Sequence, residues 1–367
     1  MNVADRKTNA SPYTRQIAFF CAFLLPMGKL MEAPSLLAKY AKGDLLFPAL
    51  IQFVLQALVL FCVVLALSSS KATLHERLVA VFGKGTSVVY AVFVLYYLLS
   101  AVLPLLDLEK FVYAVYFDTA PTTFSFGFFF LVSAFITTKG IKAVGRFADV
   151  CLFLFLVPFV ALLFMSLFEA DFSVLLPIFG TNPQESLRAV VKTAPHFSDV
   201  ALLLPLFLHF RYEKGDGVKI MTGYGVGAGL CLLFFAVFYG IFSTIAPREH
   251  YAFSKIAQYF PALSVVGRID LIFVYLLSVA LIFFTSLPIA YASELSATLF
   301  HTEKKTVFSF VLNLSAFTFV LFFNRLYDSV YALFTGPLVP IFVFISYLLP
   351  CFCLFLPKST DKENALA

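Results

Sequence analysis

Phe23-Leu24-Leu25-Pro26-Met27-Gly28-Lys29-Leu30-Met31-Glu32-Ala33-Pro34 and, about 170 residues later, Thr193-Ala194-Pro195-His196-Phe197-Ser198-Asp199 carry the reading of the fold. Each sets proline and ionisable side chains in the middle of an otherwise apolar run. Pro26 lacks the N–H that would bond the carbonyl of Ala22, Pro34 frees that of Leu30, and Pro195 frees that of Val191. Gly28 loosens the backbone between the first two. Prolines also stand in other apolar segments (Pro104, Pro158, Pro205, Pro288), so it is proline beside ionisable residues that sets these two stretches apart.

The surroundings of both stretches are lipid-like in composition. Of 367 residues, 61% are hydrophobic and 13% charged, with a mean hydropathy of +0.94. A soluble domain carries roughly 45–50% apolar and about 25% charged residues, so the chain is read as an integral membrane protein. At about 20 residues per crossing it has room for on the order of ten to twelve spans, which excludes an attached kinase, nuclease or ATPase module. No Lys/Arg-rich run exists, so nucleic acid is not a partner. The six cysteines lie in apolar stretches and read as packing residues, neither a disulfide framework nor a metal site. The first apolar run lacks a small-residue cleavage site and reads as a retained helix. With no Trp, an interfacial aromatic belt falls to Tyr.

Apolar segments are expected at 15–40, 45–68, 85–107, 122–138, 146–167, 189–210, 217–246, 262–298, 306–323 and 330–356, about ten transmembrane helices. Sixteen of the 26 basic residues then fall on the side that holds both ends of the chain and nine on the other, with Lys29 inside the membrane. By the positive-inside rule both termini are cytoplasmic. The polar interval 168–188 divides the helices five and five, giving repeats at 15–167 and 189–356 between tails at 1–14 and 357–367. An odd number per half inserts the second half upside down, the arrangement of inverted-repeat transporters whose substrate sites lie at broken helices. The broken first and sixth segments meet that expectation, because unpaired main chain at membrane depth survives only around a protein-lined or watery cavity.

Several pieces in this order and spacing support a closer likeness: Ala33-Pro-Ser-Leu-Leu-Ala-Lys39, Gly140-Ile-Lys-Ala-Val-Gly-Arg-Phe-Ala-Asp149, Phe172-Ser-Val-Leu-Leu-Pro177, Phe197-Ser-Asp199 and Gly267-Arg-Ile-Asp270. From about Arg15 to Leu356 the chain resembles the B subunits of spore germinant receptors, a branch of the amino acid–polyamine–organocation transporters. The resemblance implies a LeuT-type 5+5 inverted repeat in the spore inner membrane. It also implies an A subunit and a lipoprotein C subunit as partners, and a small nutrient such as an amino acid as ligand. The chain departs from that family in carrying Gly28-Lys29 where small residues are usual, and Asp199 where Glu is frequent.

The candidate ligand site comprises Gly28, Lys29, Glu32, His196, Ser198 and Asp199. An ionisable residue within the bilayer is expected to be paired and functional. At i, i+3, Lys29 and Glu32 could pair with each other if the backbone stays helical. Alternatively, Lys29 binds a ligand carboxylate or stands in for a coupling cation. Asp199 either balances Lys29 across the repeat interface or accepts a ligand ammonium, while main-chain N–H groups near Gly28 would hold a carboxylate. His196 reads more readily as a hydrogen-bonded interior residue than as a relay. Gly223-Tyr-Gly-Val-Gly-Ala-Gly229 has the glycine density of a phosphate loop but follows no strand, so Gly223/Gly227 and Gly225/Gly229 read as close-packing pairs. Ser278, Thr285 and Ser286 read as hydroxyls bonded to their own helix, with a cation site as the alternative. Arg268 and Asp270 are expected to form an outer salt link.

No catalytic motif, cofactor-binding motif or metal-ligand spacing occurs, so the chain is not expected to be an enzyme. The function expected is a ligand-sensing, transporter-like receptor subunit. A stand-alone proton-coupled amino acid permease and a non-binding membrane scaffold are the alternatives.

Overall fold

A computed structural model describes residues 14–116, 122–139, 141–177, 180, 182–259, 270–300, 302 and 305–357. Most of both terminal tails, Gly140, Gly267 and the Arg268–Asp270 link lie outside the described residues or their described side chains.

The described chain is helical and apolar enough to belong in a bilayer. Six helical stretches, such as Leu46–Ser68 and Asp216–Arg248, have the length and hydropathy of membrane spans, and shorter apolar helices accompany them. The first segment is split, as its prolines require. Helix α1 (Thr14–Met27) ends at the Pro26 step, a non-helical bend follows, and α2 (Ala33–Ala41) starts with Pro34 in its first turn. The chain continues through α3 (Leu46–Ser68), the short α4 (Leu74–Phe82), α5 (Thr86–Tyr116), α6 (Thr122–Thr138) and α7 (Ile141–Leu167). Helix α4 was not foreseen. It starts on a capping box, in which Thr73 accepts from the Glu76 N–H and Glu76 accepts from that of Thr73.

The second split segment is α8 (Pro183–Thr193), a tight 3-10 turn at Ala194–Phe197, and α9 (Asp199–Phe207). Helix α8 begins earlier than the expected 189, because Asn182 Oδ1 caps the Gln184 N–H and Pro183 fits the first turn. Then come α10 (Asp216–Phe242), the short α11 (Ala252–Gln258), α12 (Asp270–Leu299) and α13 (Lys305–Phe323). The last expected segment is interrupted as well. Helix α14 (Tyr327–Phe334) stops at Thr335-Gly336-Pro337, α15 (Val339–Val343) resumes, and a π-helical turn at Phe344–Leu348 follows. Gly-Pro is a strong breaker, and this third interruption was missed in reading 330–356 as one span.

Packing sets the breaks against one another. Helix α2 lies against α8 and α1 against α9, so the half-helices on each side of the two breaks pair with their counterparts. Helix α10 lies along α1. A Cβ at Gly223 would come within 2.3 Å of the Ala18 carbonyl oxygen, and one at Gly227 within 2.9 Å of that of Cys21. The close-packing reading therefore holds for Gly223 and Gly227. It fails for Gly225 and Gly229, where an added Cβ would meet nothing within 4 Å. Buried Arg77 of α4 donates to the Ala66, Leu356 and Pro357 carbonyls, fastening the end of α3 to the end of the described chain.

Candidate functional site

The bend between α1 and α2 puts Lys29 inside the protein, with 1% of its side chain exposed against 4% for Asp199. Lys29 Nζ donates to Asp199 Oδ1 at 2.6 Å, joining the two breaks across 170 residues. The ammonium also lies 5.0 Å from the Phe197 ring centre and 5.8 Å from that of Phe53, within range of cation–π attraction. Of the two partners open to Lys29, the structure selects Asp199. Leaving water is tolerable for such a pair only when its geometry is good and the remaining polar valences are met. Here one is not met, because Asp199 Oδ2 is buried without a partner, as are His196 Nε2 and Gln56 Nε2.

Glu32 pairs elsewhere. Its Oε2 lies 2.8 Å from Nδ1 of His250, in the segment leading to α11. That segment is tied to the first break by main chain as well: Ala252 N–H donates to the Met31 carbonyl and Phe253 N–H to that of Leu30. The Leu30 carbonyl freed by Pro34 thus finds a partner more than 200 residues away. The main-chain donors expected near Gly28 are already engaged, with the Gly28 N–H on Leu24 and the Lys29 N–H on Pro26. Carboxylate capture by those two groups is therefore corrected. Ser198 Oγ donates to the Pro195 carbonyl, which places its hydroxyl on the turn itself.

Between the breaks lies a cavity with room for the centres of water-sized molecules over about 70 Å³. At roughly 10–15 Å³ per water, this holds on the order of five waters or one small organic molecule. Gly28, Glu32, His196, Ser198 and Asp199 line it, so of the six expected site residues only Lys29 stands behind the wall. Gly28 packs closely there, since a Cβ would approach the tip of the Phe284 ring to 3.0 Å and the ring would have to shift. Thr285 also lines the cavity, yet its hydroxyl donates to the Leu281 carbonyl. Ser278 and Ser286 likewise bond to Val274 and Ile282, the reading preferred for all three.

Several residues that build the site were not foreseen. Gln52 Nε2 donates to the Val190 carbonyl, taking part of the main chain loosened at the second break, and Gln56 Oε1 accepts the Val200 N–H. Tyr347, in the π-helical turn, donates to Gln52 and lies 3.3 Å from the Phe197 carbonyl. Two glutamines four apart inside an apolar helix were a usable signal, since polar side chains in lipid seek partners. Asp107 of α5 lines the same cavity and accepts from Tyr327 Oη at 2.6 Å, while Lys110 Nζ sits 3.5 Å over the Tyr327 ring. Helix α5 had been expected to end at 107, but it continues to Tyr116 because its charged side chains find partners inside the protein. Among the described residues no group of three His, Cys, Asp or Glu converges as metal ligands.

Comparison with known proteins agrees with this architecture. A family described as spore germination protein matches residues 33–328. No curated protein matches the sequence. Among solved structures, a variant of the Eremococcus coleocola manganese transporter superposes with a TM-score of 0.58 at 12% identity, covering 92% of this chain and 78% of that one. A second variant gives 0.59 at 12% identity over 93% and 78%. The same transporter in complex with an aromatic bis-isothiourea substituted compound gives 0.56 at 12% identity, again over 93% and 78%. At this identity the likeness establishes the LeuT-type fold alone.

Proposed function

The chain belongs to the family of spore germination proteins, and from that premise we propose that it is the ligand-sensing, transporter-like subunit of a germinant receptor. A small nutrient, an amino acid, binds between the broken α1/α2 and α8/α9 segments. The observation that carries this reading is the buried Lys29–Asp199 pair, with Asp199 lining a cavity of small-molecule size and its Oδ2 left without a hydrogen-bond partner. The ligand's ammonium takes Asp199 Oδ2, and its remaining atoms fill the space beside His196 and Ser198. Binding strengthens one arrangement of the two repeats, and that population shift is what partner subunits read. The partners are the A and C subunits of the receptor. The membrane is the spore inner membrane, with both termini cytoplasmic on the strength of the basic-residue distribution.

Manganese is not carried over from the structural neighbours. Among the described residues no three His, Cys, Asp or Glu side chains converge as metal ligands, and a hard divalent cation wants several oxygen ligands at once. The test is thermal stabilisation of the purified protein, screened across amino acids, sugars and nucleosides. Stabilisation by an amino acid, lost in Asp199→Asn, is expected; stabilisation by none would overturn the proposal. Uptake of labelled amino acid into liposomes by the protein alone would make it a permease rather than a pure sensor. The interlocked Lys29–Asp199 pair also suits a scaffold that merely closes its cavity. Unchanged germination in Lys29→Met spores would favour that reading.

A further inference from the structure

The cavity walls are chemically lopsided. Three carboxylates line them: Asp199 beside the breaks, Glu32 at the bend and Asp107 on α5. All three are at least nine-tenths buried. The neighbouring cations are turned away from the space. Lys29 is bonded to Asp199 Oδ1 beside the Phe53 and Phe197 rings, Lys110 lies over the Tyr327 ring, and the largely exposed His250 side chain reaches Glu32. Among the described residues Asp199 Oδ2 is a buried carboxylate oxygen left without a donor, which is an independent sign of a missing donor group. A ligand carboxylate placed here would share the cavity with the acidic side chains of Asp199, Glu32 and Asp107, while the Lys29 ammonium is already engaged.

We propose that the cavity selects its ligand by an ammonium group, not by a carboxylate. Amines and amino acid derivatives of net positive charge would bind at least as tightly as zwitterions, and far more tightly than anions. The inference rests on the ligand-site reading above and narrows it to a substrate class. Desolvated charges of opposite sign attract strongly in a dry site, while like charges there are heavily penalised.

The test uses one carbon skeleton with four head-group patterns: L-alaninamide, L-alanine, propionamide and propionate. The series is repeated on the glycine and valine skeletons, and binding to the purified full-length protein is measured by titration calorimetry. The amide cation is expected to equal or exceed the zwitterion and to bind about tenfold or more tighter than the anion, matching a charge-assisted hydrogen bond. In Asp107→Asn, which keeps Asp199, the cation-over-anion ratio should fall several-fold while zwitterion binding persists. A zwitterion that binds while its amide does not would overturn the inference and leave the ligand site standing. Binding by none of the series on any skeleton would remove both.

Discussion

Severing the Lys29–Asp199 pair should have opposite pH signatures from its two ends. In Lys29→Met the buried Asp199 loses its counter-charge, and in Asp199→Asn the buried Lys29 does; both side chains are almost wholly enclosed. A stranded charge of this kind sheds its charge instead of staying ionised in an apolar site. Neutralising a carboxyl of ordinary pKa ~3.9 at pH 7 costs about 4 kcal/mol, and neutralising an ammonium of ordinary pKa ~10.4 costs about 4.6 kcal/mol, at about 1.36 kcal/mol per pH unit. These figures agree with the roughly 3–5 kcal/mol found when one partner of a buried pair is removed. The Lys29→Met deficit should shrink towards about 2 kcal/mol at pH 5.5, and that of Asp199→Asn should shrink similarly near pH 9. The double variant Lys29→Met/Asp199→Leu strands no charge, so it should be more stable than either single variant. Unfolding in detergent can be followed with a thiol-reactive dye, because Cys21 and Cys231 are buried free thiols that become exposed on unfolding. Additive losses below about 1 kcal/mol each, with parallel pH dependence, would show that the pair does not join the breaks.

Two further perturbations test the frame around the site. Gly223→Ala would drive a Cβ to 2.3 Å from the Ala18 carbonyl oxygen and force α10 away from α1; a loss of several kcal/mol or of folded yield is expected. Gly225→Ala on the same helix meets nothing and should be neutral or stabilising by up to about 1 kcal/mol, read by the same dye assay. The hydrogen bond to Glu32 raises the His250 pKa above its ordinary value, against the smaller opposing effect of partial burial. Its contribution is therefore fully present below about pH 6.5 and is lost as pH rises through the raised value. The protection of the Ala252 and Phe253 amides, corrected for the intrinsic pH dependence of exchange, should fall over that rise, and His250→Gln should flatten the response; equal protection on both sides would refute a role for the His250–Glu32 contact.

The sequence by itself determined where the chain must break and what surrounds the breaks. Proline removes main-chain donors wherever it stands, and apolar composition of this extent has no soluble home, so both conclusions follow from local chemistry alone. The Gly336-Pro337 break was equally local and was passed over because an apolar run on both sides masked it. Partner choice was of a different kind. Lys29 had Glu32 three residues away and Asp199 about 170 residues away, and the sequence left both open, the near one only if the backbone stayed helical. The bend that Pro26 and Pro34 create is not helical, so i, i+3 neighbours no longer share a face. Lys29 turns to Asp199 and Glu32, also buried, to His250. Only the packing of α1 on α9 and of α11 on the bend decides between carboxylates. An ion pair in a dry interior forms where the fold brings the charges into contact, and distance along the chain has no part in that energy.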